Sequence, residues 1–149
     1  MSTSAASGIG DLSWSDVLAC ERAVLRFTAA FDDADLPGML AEFAPDGAWR
    51  RPDGSVVQGH DGVRALMAAL RPTVFFRHVV TNLRVGAAGP DQATCVSYVT
   101  VYMHDGERGG GPAPLDPPVL VGRYHDELRR ENGSWLISGR RVAVDFRKA

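Results

Sequence analysis

Two residues of this chain would exchange protons if the fold brought them together. Asp32 closes a helical run, Phe31-Asp32-Asp33-Ala34-Asp35, and His78 lies in a strand-like run, Phe76-Arg77-His78-Val79-Val80-Thr81-Asn82. An imidazole beside a carboxylate takes or gives a proton near neutral pH. Beyond a positioned substrate the pair needs no other group. A carboxylate at a helix C-terminus is opposed by the helix dipole, so each of the three aspartates needs a reason to be there. Asp35 can cap the next helix and Asp33 can face water. Asp32 has a reason only if it points inward.

The remaining polar residues suggest no competing chemistry. The four histidines show no HxH or HExxH spacing, so no metal site is expected. No GxSxG elbow supports a serine nucleophile. Gly109-Gly110-Gly111 follows a strand but opens no helix, and so makes no phosphate cradle. His60 and His104 fall in turn-like or loop text and read as solvated. Four residues form a second rank of ligand contacts. Asn82 alternates onto the His78 face with Phe76 and Val80. Tyr102 shares a face with Thr94, Val96, Tyr98 and Thr100, either pocket or dimer surface. Arg141 stands at an even spacing from Trp135 and Ile137, on the core side, where it would hold a substrate carboxylate or pair with Asp145. Tyr124 is the fourth. Phe27, Phe31 and Trp49 complete the set as pocket wall.

The elements that must position these groups follow from periodicity. Ser13 or Ser15 caps a helix whose apolar residues, Val17, Leu18, Val24, Leu25 and Phe31, recur at helical spacing through about Asp33. Asp35 caps a second, with Pro37 tolerated in its first turn and Pro45-Asp46-Gly47 ending it. Residues 48–51 and 55–58 flank Pro52-Asp53-Gly54 as a short hairpin. A third helix runs from about Asp61 to Leu70. Four long strands then cover residues 75–85, 93–103, 119–130 and 134–146, with Glu131-Asn132-Gly133 a tight hairpin turn. The long Gly/Pro-rich connection over 105–118 reads as mobile or as a lid on the pocket mouth. Helices first, then a meander of antiparallel strands, predict an α+β fold with the helices on one face of a curved sheet.

Composition narrows the partners. One domain of 149 residues with 45% hydrophobic residues can bury a real core. The net charge of -2, with both signs interspersed, argues against nucleic acid. Cys20 and Cys95 sit far apart among apolar residues and read as buried, reduced thiols. Residues 1–12 read as a disordered tail, with no apolar leader segment. No run approaches the roughly 20 apolar residues of a membrane span. The chain reads as cytoplasmic.

The order of motifs resembles the SnoaL-like branch of the nuclear transport factor 2-like superfamily. The matching text is residues 31–36, residues 40–49 from Leu40 to Trp49, Gly59-His60-Asp61-Gly62-Val63, Arg77-His78, residues 122–128 and Gly133-Ser134-Trp135-Leu136-Ile137, together spanning roughly residues 15 to 145. The resemblance implies a SnoaL-like domain over 13–149, a cone-shaped α+β barrel with an apolar pocket, a homodimer, and no metal or organic cofactor. It also implies that Asp32 and His78 correspond to the aspartate and histidine of scytalone dehydratase and bile-acid dehydratase-type enzymes. Those enzymes remove water next to a carbonyl; relatives isomerise ketosteroids or cyclise polyketides. The expected ligand is therefore small, apolar or carbonyl-containing. The sequence departs from the pattern at Phe31, where the dehydratase type carries tyrosine, and it has no counterpart in register for a second histidine. Those departures keep a rival reading open: a noncatalytic ligand-binding or assembly-partner protein.

Overall fold

The structure, a computed structural model, describes residues 12–149. The expected tail falls outside the described residues except for Leu12, which packs against the core. Helix α1 (Trp14–Asp32) starts where the Ser13 hydroxyl accepts a hydrogen bond from Asp16 N–H. Helix α2 (Leu36–Glu42) starts where the Asp35 carboxylate accepts from Gly38 N–H, with Pro37 in its first turn. Strands β1 (Phe43–Arg50) and β2 (Val56–Gln58) form the expected hairpin, and α3 (Gly59–Ala69) follows. Strands β3 (Val74–Gly89), β4 (Gln92–Asp105), β5 (Leu120–Glu131) and β6 (Ser134–Arg147) make the long meander.

One six-stranded sheet results, in the order β2-β1-β6-β5-β4-β3. Its pairings are antiparallel except β1 with β6. The sheet is curved and left open at β2 and β3, and the helices cover one face. This is the expected cone-shaped α+β arrangement, short of a closed barrel. Pro45-Asp46-Gly47 does not end α2 as read from the sequence. The helix stops at Glu42, and the tripeptide forms an excursion within β1, between the pairs Phe43↔Ile137 and Ala48↔Gly139. His60, read as solvated, instead donates from Nε2 to Phe43 O at 2.7 Å and ties α3 to that strand.

Two of the sheet's register shifts set which of the candidate residues face inward. Residues paired directly across strands point to the same side of a sheet, and one inserted residue reverses the alternation. In β3 the register shifts between Thr81↔Tyr98 and Arg84↔Val96, with Asn82 in the left-handed region at φ 54°. In β6 it shifts between Glu127↔Gly139 and Leu128↔Ile137, leaving Ser138 as the extra residue. Upstream of the first bulge Phe76, His78 and Val80 face the helices; beyond it Leu83 and Val85 do. Along β6 the inward set changes from Trp135 and Ile137 to Arg140 and Val142.

The core joins both halves. Phe27 of α1 stacks on Phe43 at 5.4 Å and meets Trp49 edge-on at 5.6 Å. Cys20 and Cys95 are both buried and free, and burial pushes each thiol up to about 12. The least apolar feature of the core is an ion pair. Arg140 Nε and Nη2 donate to Asp126 Oδ1 and Oδ2 at 2.7 and 3.0 Å, with both side chains almost fully removed from water. The guanidinium also lies over the rings of Tyr124 (3.9 Å) and Phe27 (5.1 Å).

Breaking one side of a buried pair strands the other charge. Asp126→Ala is therefore expected to lower the unfolding free energy by about 3–5 kcal/mol, read by urea denaturation. The double variant Asp126→Leu/Arg140→Met, which removes both charges, is expected to recover most of that loss.

Candidate active site

Asp32 and His78 meet. Asp32 occupies the last position of α1, where its carboxylate turns from the helix end toward β3. Its Oδ2 accepts the backbone N–H of His78 at 2.8 Å, and its Oδ1 bonds the ring Nδ1 at 2.5 Å. The Asp32 and His78 side chains are 5% and 10% exposed. Because a carboxylate oxygen accepts, Nδ1 carries the hydrogen, and in the neutral imidazole the lone pair then lies on Nε2. No hydrogen bond engages Nε2 among the described residues. The arrangement orients an imidazole base from behind and leaves its front nitrogen unoccupied.

Aromatic rings fix the imidazole laterally. Phe31 lies 5.4 Å from it in an edge-on arrangement and Phe76 lies 5.9 Å away. Phe31 also meets Phe76 at 5.3 Å and Trp49 at 5.9 Å, so one continuous aromatic wall runs from the core to the pair. Phe27 lies deeper, between Phe43, Trp49 and Arg140, as core. Tyr124 is buried on the same inward face, with Val99 and Val101. Burial pushes its phenol up to about 12, against the opposing pull of Arg140, so at neutral pH it keeps its O–H. Four buried side-chain polar atoms have no hydrogen-bond partner among the described residues, Trp49 Nε1, Ser97 Oγ, His104 Nε2 and Arg129 Nε, and the first two belong to residues of the inward face.

Three second-rank residues lie elsewhere. Asn82 is the bulge residue of β3 and is exposed, because its left-handed backbone ends the alternation that would have set it beside His78. Arg141 faces the outer side, paired in register with His125, because the bulge at Ser138 reverses β6; the buried arginine is its neighbour, Arg140. Tyr102 pairs with Arg77, and both point away from the helices. The 106–118 connection does not cover Asp32 and His78 either. It folds onto the outer face, where Arg108 stacks on Phe75 at 4.0 Å and residues from Pro112 to Asp116 share a hollow of about 440 Å³ with Val79 and Tyr102.

Five surface hollows of about 390 to 480 Å³ are lined by residues other than Asp32 and His78, and the rings of Phe31 and Phe76 flank the imidazole. Sequence reasoning missed Asp126, Arg140 and Ser97. A signal existed for Asp126: it alternates with Tyr124 and Leu128, two inward residues.

The SnoaL-like domain family model matches residues 13–141, and the chain belongs to that family. A Nostoc punctiforme protein of unknown function with a cystatin-like fold is 28% identical, with TM-score 0.74 over 91% of this chain and 96% of that one. A scytalone dehydratase-like protein from Novosphingobium aromaticivorans is 16% identical, with TM-score 0.73 over 90% and 87%. A ketosteroid isomerase-like protein from Erwinia carotovora atroseptica is 20% identical, with TM-score 0.71 over 90% and 99%. No curated protein matches the sequence.

The geometry dictates a tautomer. ¹⁵N NMR of the histidine rings is expected to show the neutral form of His78 carrying its hydrogen at Nδ1; a neutral ring protonated at Nε2 would contradict the arrangement. Asp32→Ala removes the acceptor of two donors, and its expected stability loss is about 1.5–3 kcal/mol by chemical denaturation.

Proposed function

We propose that the chain is a lyase or isomerase acting on a small, mostly apolar carbonyl compound, with His78 as general acid–base and Asp32 as its orienting partner. The observation that carries this reading is the two-point hold of Asp32 on His78, which presents Nε2 as the free base. In the first step Nε2 removes a proton from the carbon next to the substrate carbonyl, and the electron pair moves onto the carbonyl oxygen as an enolate. The imidazolium so formed is paired with the Asp32 carboxylate behind it. Nε2–H then returns the proton. Delivered to a β-hydroxyl, it releases water and leaves an enone, a dehydration. Delivered to a different carbon of a dienolate, it moves a double bond, an isomerisation.

The surrounding residues support a carbonyl substrate. Trp49 Nε1–H is a buried donor with no partner, and an enolate oxygen would satisfy it. The Tyr124 O–H stays protonated and is a second donor on the inward face. The Phe31 and Phe76 rings favour an apolar or aromatic body beside the reacting carbon. Structural relatives named for dehydratase and isomerase chemistry support the reaction class.

The test uses a panel of aromatic β-hydroxyketones and β,γ-unsaturated ketones in D₂O, with elimination, double-bond migration and α-hydrogen exchange followed by ¹H NMR. Activity is expected on at least one member, and His78→Gln is expected to lower it about 10²- to 10⁴-fold. Trp49→Phe keeps an aromatic ring at this position but removes the donor, and its expected loss is about tenfold in kcat/KM. Turnover unchanged in both His78→Gln and Asp32→Asn would overturn the mechanism. Saturable binding of panel compounds with no exchange would favour the noncatalytic reading.

A further inference from the structure

The outer face of the sheet carries a line of positive charge. The register reads Arg84↔Val96, Val96↔His125, His125↔Arg141 and Arg141↔Arg50, one cross-strand row over β3, β4, β5, β6 and β1. Strands lie about 4.8 Å apart, so His125, Arg141 and Arg50 are consecutive neighbours and Arg84 stands two strands further on. Like charges directly opposite one another on adjacent strands destabilise a sheet. The opposed guanidiniums of Arg141 and Arg50 therefore cost the fold stability, unless something anionic sits on them.

The other strand arginines show that this chain usually supplies a carboxylate. Arg77 pairs with Asp33, Arg123 with Asp145, Arg129 with Asp46, Arg130 with Asp91 and Arg140 with Asp126. Four strand arginines have no carboxylate at ion-pair distance among the described residues. Three of them, Arg50, Arg84 and Arg141, fall in this one row, and the fourth, Arg147, closes β6. A hollow of about 460 Å³ opens on the row, lined by Arg50, Arg141, His125, Val96 and Thr94, with Glu127 at its side. Of the two carboxylates nearby, Asp126 is committed to Arg140, and Glu127 pairs with no arginine of the row. Thr94 contributes a hydroxyl.

We propose that this row is a binding site for a phosphate-bearing small molecule. Adjacent guanidinium forks at Arg50 and Arg141 can each give two parallel N–H bonds to phosphate oxygens. His125 adds a third donor group beside them. Partial burial and the guanidiniums of Arg141, Arg123 and Arg84 hold the His125 imidazole below its usual range, against the weaker opposing effect of Asp126. A bound phosphate would offset that positive field, so the His125 titration moves upward on binding. Arg50, Glu127 and Arg140, the last paired with Asp126, are the remaining charged residues around the hollow. The site lies on the opposite side of the sheet from His78 and is independent of the reaction proposed for that residue.

The experiment is a titration of the full chain with inorganic pyrophosphate and, separately, inorganic phosphate, followed by calorimetry and by the His125 ring ¹H signal across pH. Saturable binding of pyrophosphate is expected, with a raised His125 titration midpoint. Arg141→Gln and Arg50→Gln are each expected to weaken it about tenfold or more, and Arg147→Gln, an unpaired arginine outside the row, is expected to leave it unchanged. Circular dichroism on each variant separates loss of binding from loss of fold. No saturable shift of His125, or equal weakening by Arg147→Gln, would overturn the proposal. Binding only to phosphatidic acid vesicles, with none to pyrophosphate, would overturn it too.

Discussion

The grip of Asp32 on His78 is the contact on which the inner face depends. A carboxylate in the last turn of a helix is repelled by the helix's own carbonyls. Asp32 is nonetheless nearly buried there, because β3 offers it two donors, the ring and the backbone N–H of the same residue. The backbone bond fixes where His78 sits relative to α1, and the ring bond fixes how its imidazole is turned. One side chain thus sets both the docking of helix on strand and the tautomer of the imidazole. The cost of placing Asp32 at the helix end is offset only when β3 is in register, so fold and site are specified together.

The core ion pair follows a different logic. Asp126 and Arg140 bond each other bidentately, and the guanidinium lies over Tyr124 and Phe27. Asp32 satisfies only one nitrogen of His78 and leaves the other open. A saturated pair stabilises a particular packing, and an unsaturated one can do chemistry. That contrast, more than burial or charge, separates the two acid–base couples of this interior.

Much of this was legible in the sequence. The helix starts at Ser13 and Asp35, the Asn132-Gly133 hairpin with φ of 49° and 79°, and the four long strands all follow from local rules. The meeting of Asp32 with His78 was legible from the family resemblance and from the lack of any other reason for a carboxylate at that helix end. What failed was alternation beyond a bulge. Counting in twos places both Asn82 and Arg141; the first count ends on an inserted residue and the second crosses one. Signals were present but faint. Asn is depleted from strand interiors and is one of the few residues that tolerate the left-handed region. Ser138 can bond a neighbouring carbonyl and does so with Glu127 O. The adjacent arginines 140 and 141 made the second case insoluble by counting, since either phase buries one of them.

The bulges also connect the two faces. Without the one at Asn82, Arg84 would continue the inward series of His78 and Val80, and Leu83 would turn to solvent. Without the one at Ser138, Arg141 would stand inward with Trp135 and Ile137, and Arg140 would lose Asp126. Each insertion therefore does two things at once: it delivers apolar or paired residues to the core and sends an unpaired arginine to the same outer row. Two separate register shifts, in strands that are not neighbours, converge on a single line of charge. A surface assembled that way is constrained from both sides, because restoring regular alternation to either strand would break the core and the row together.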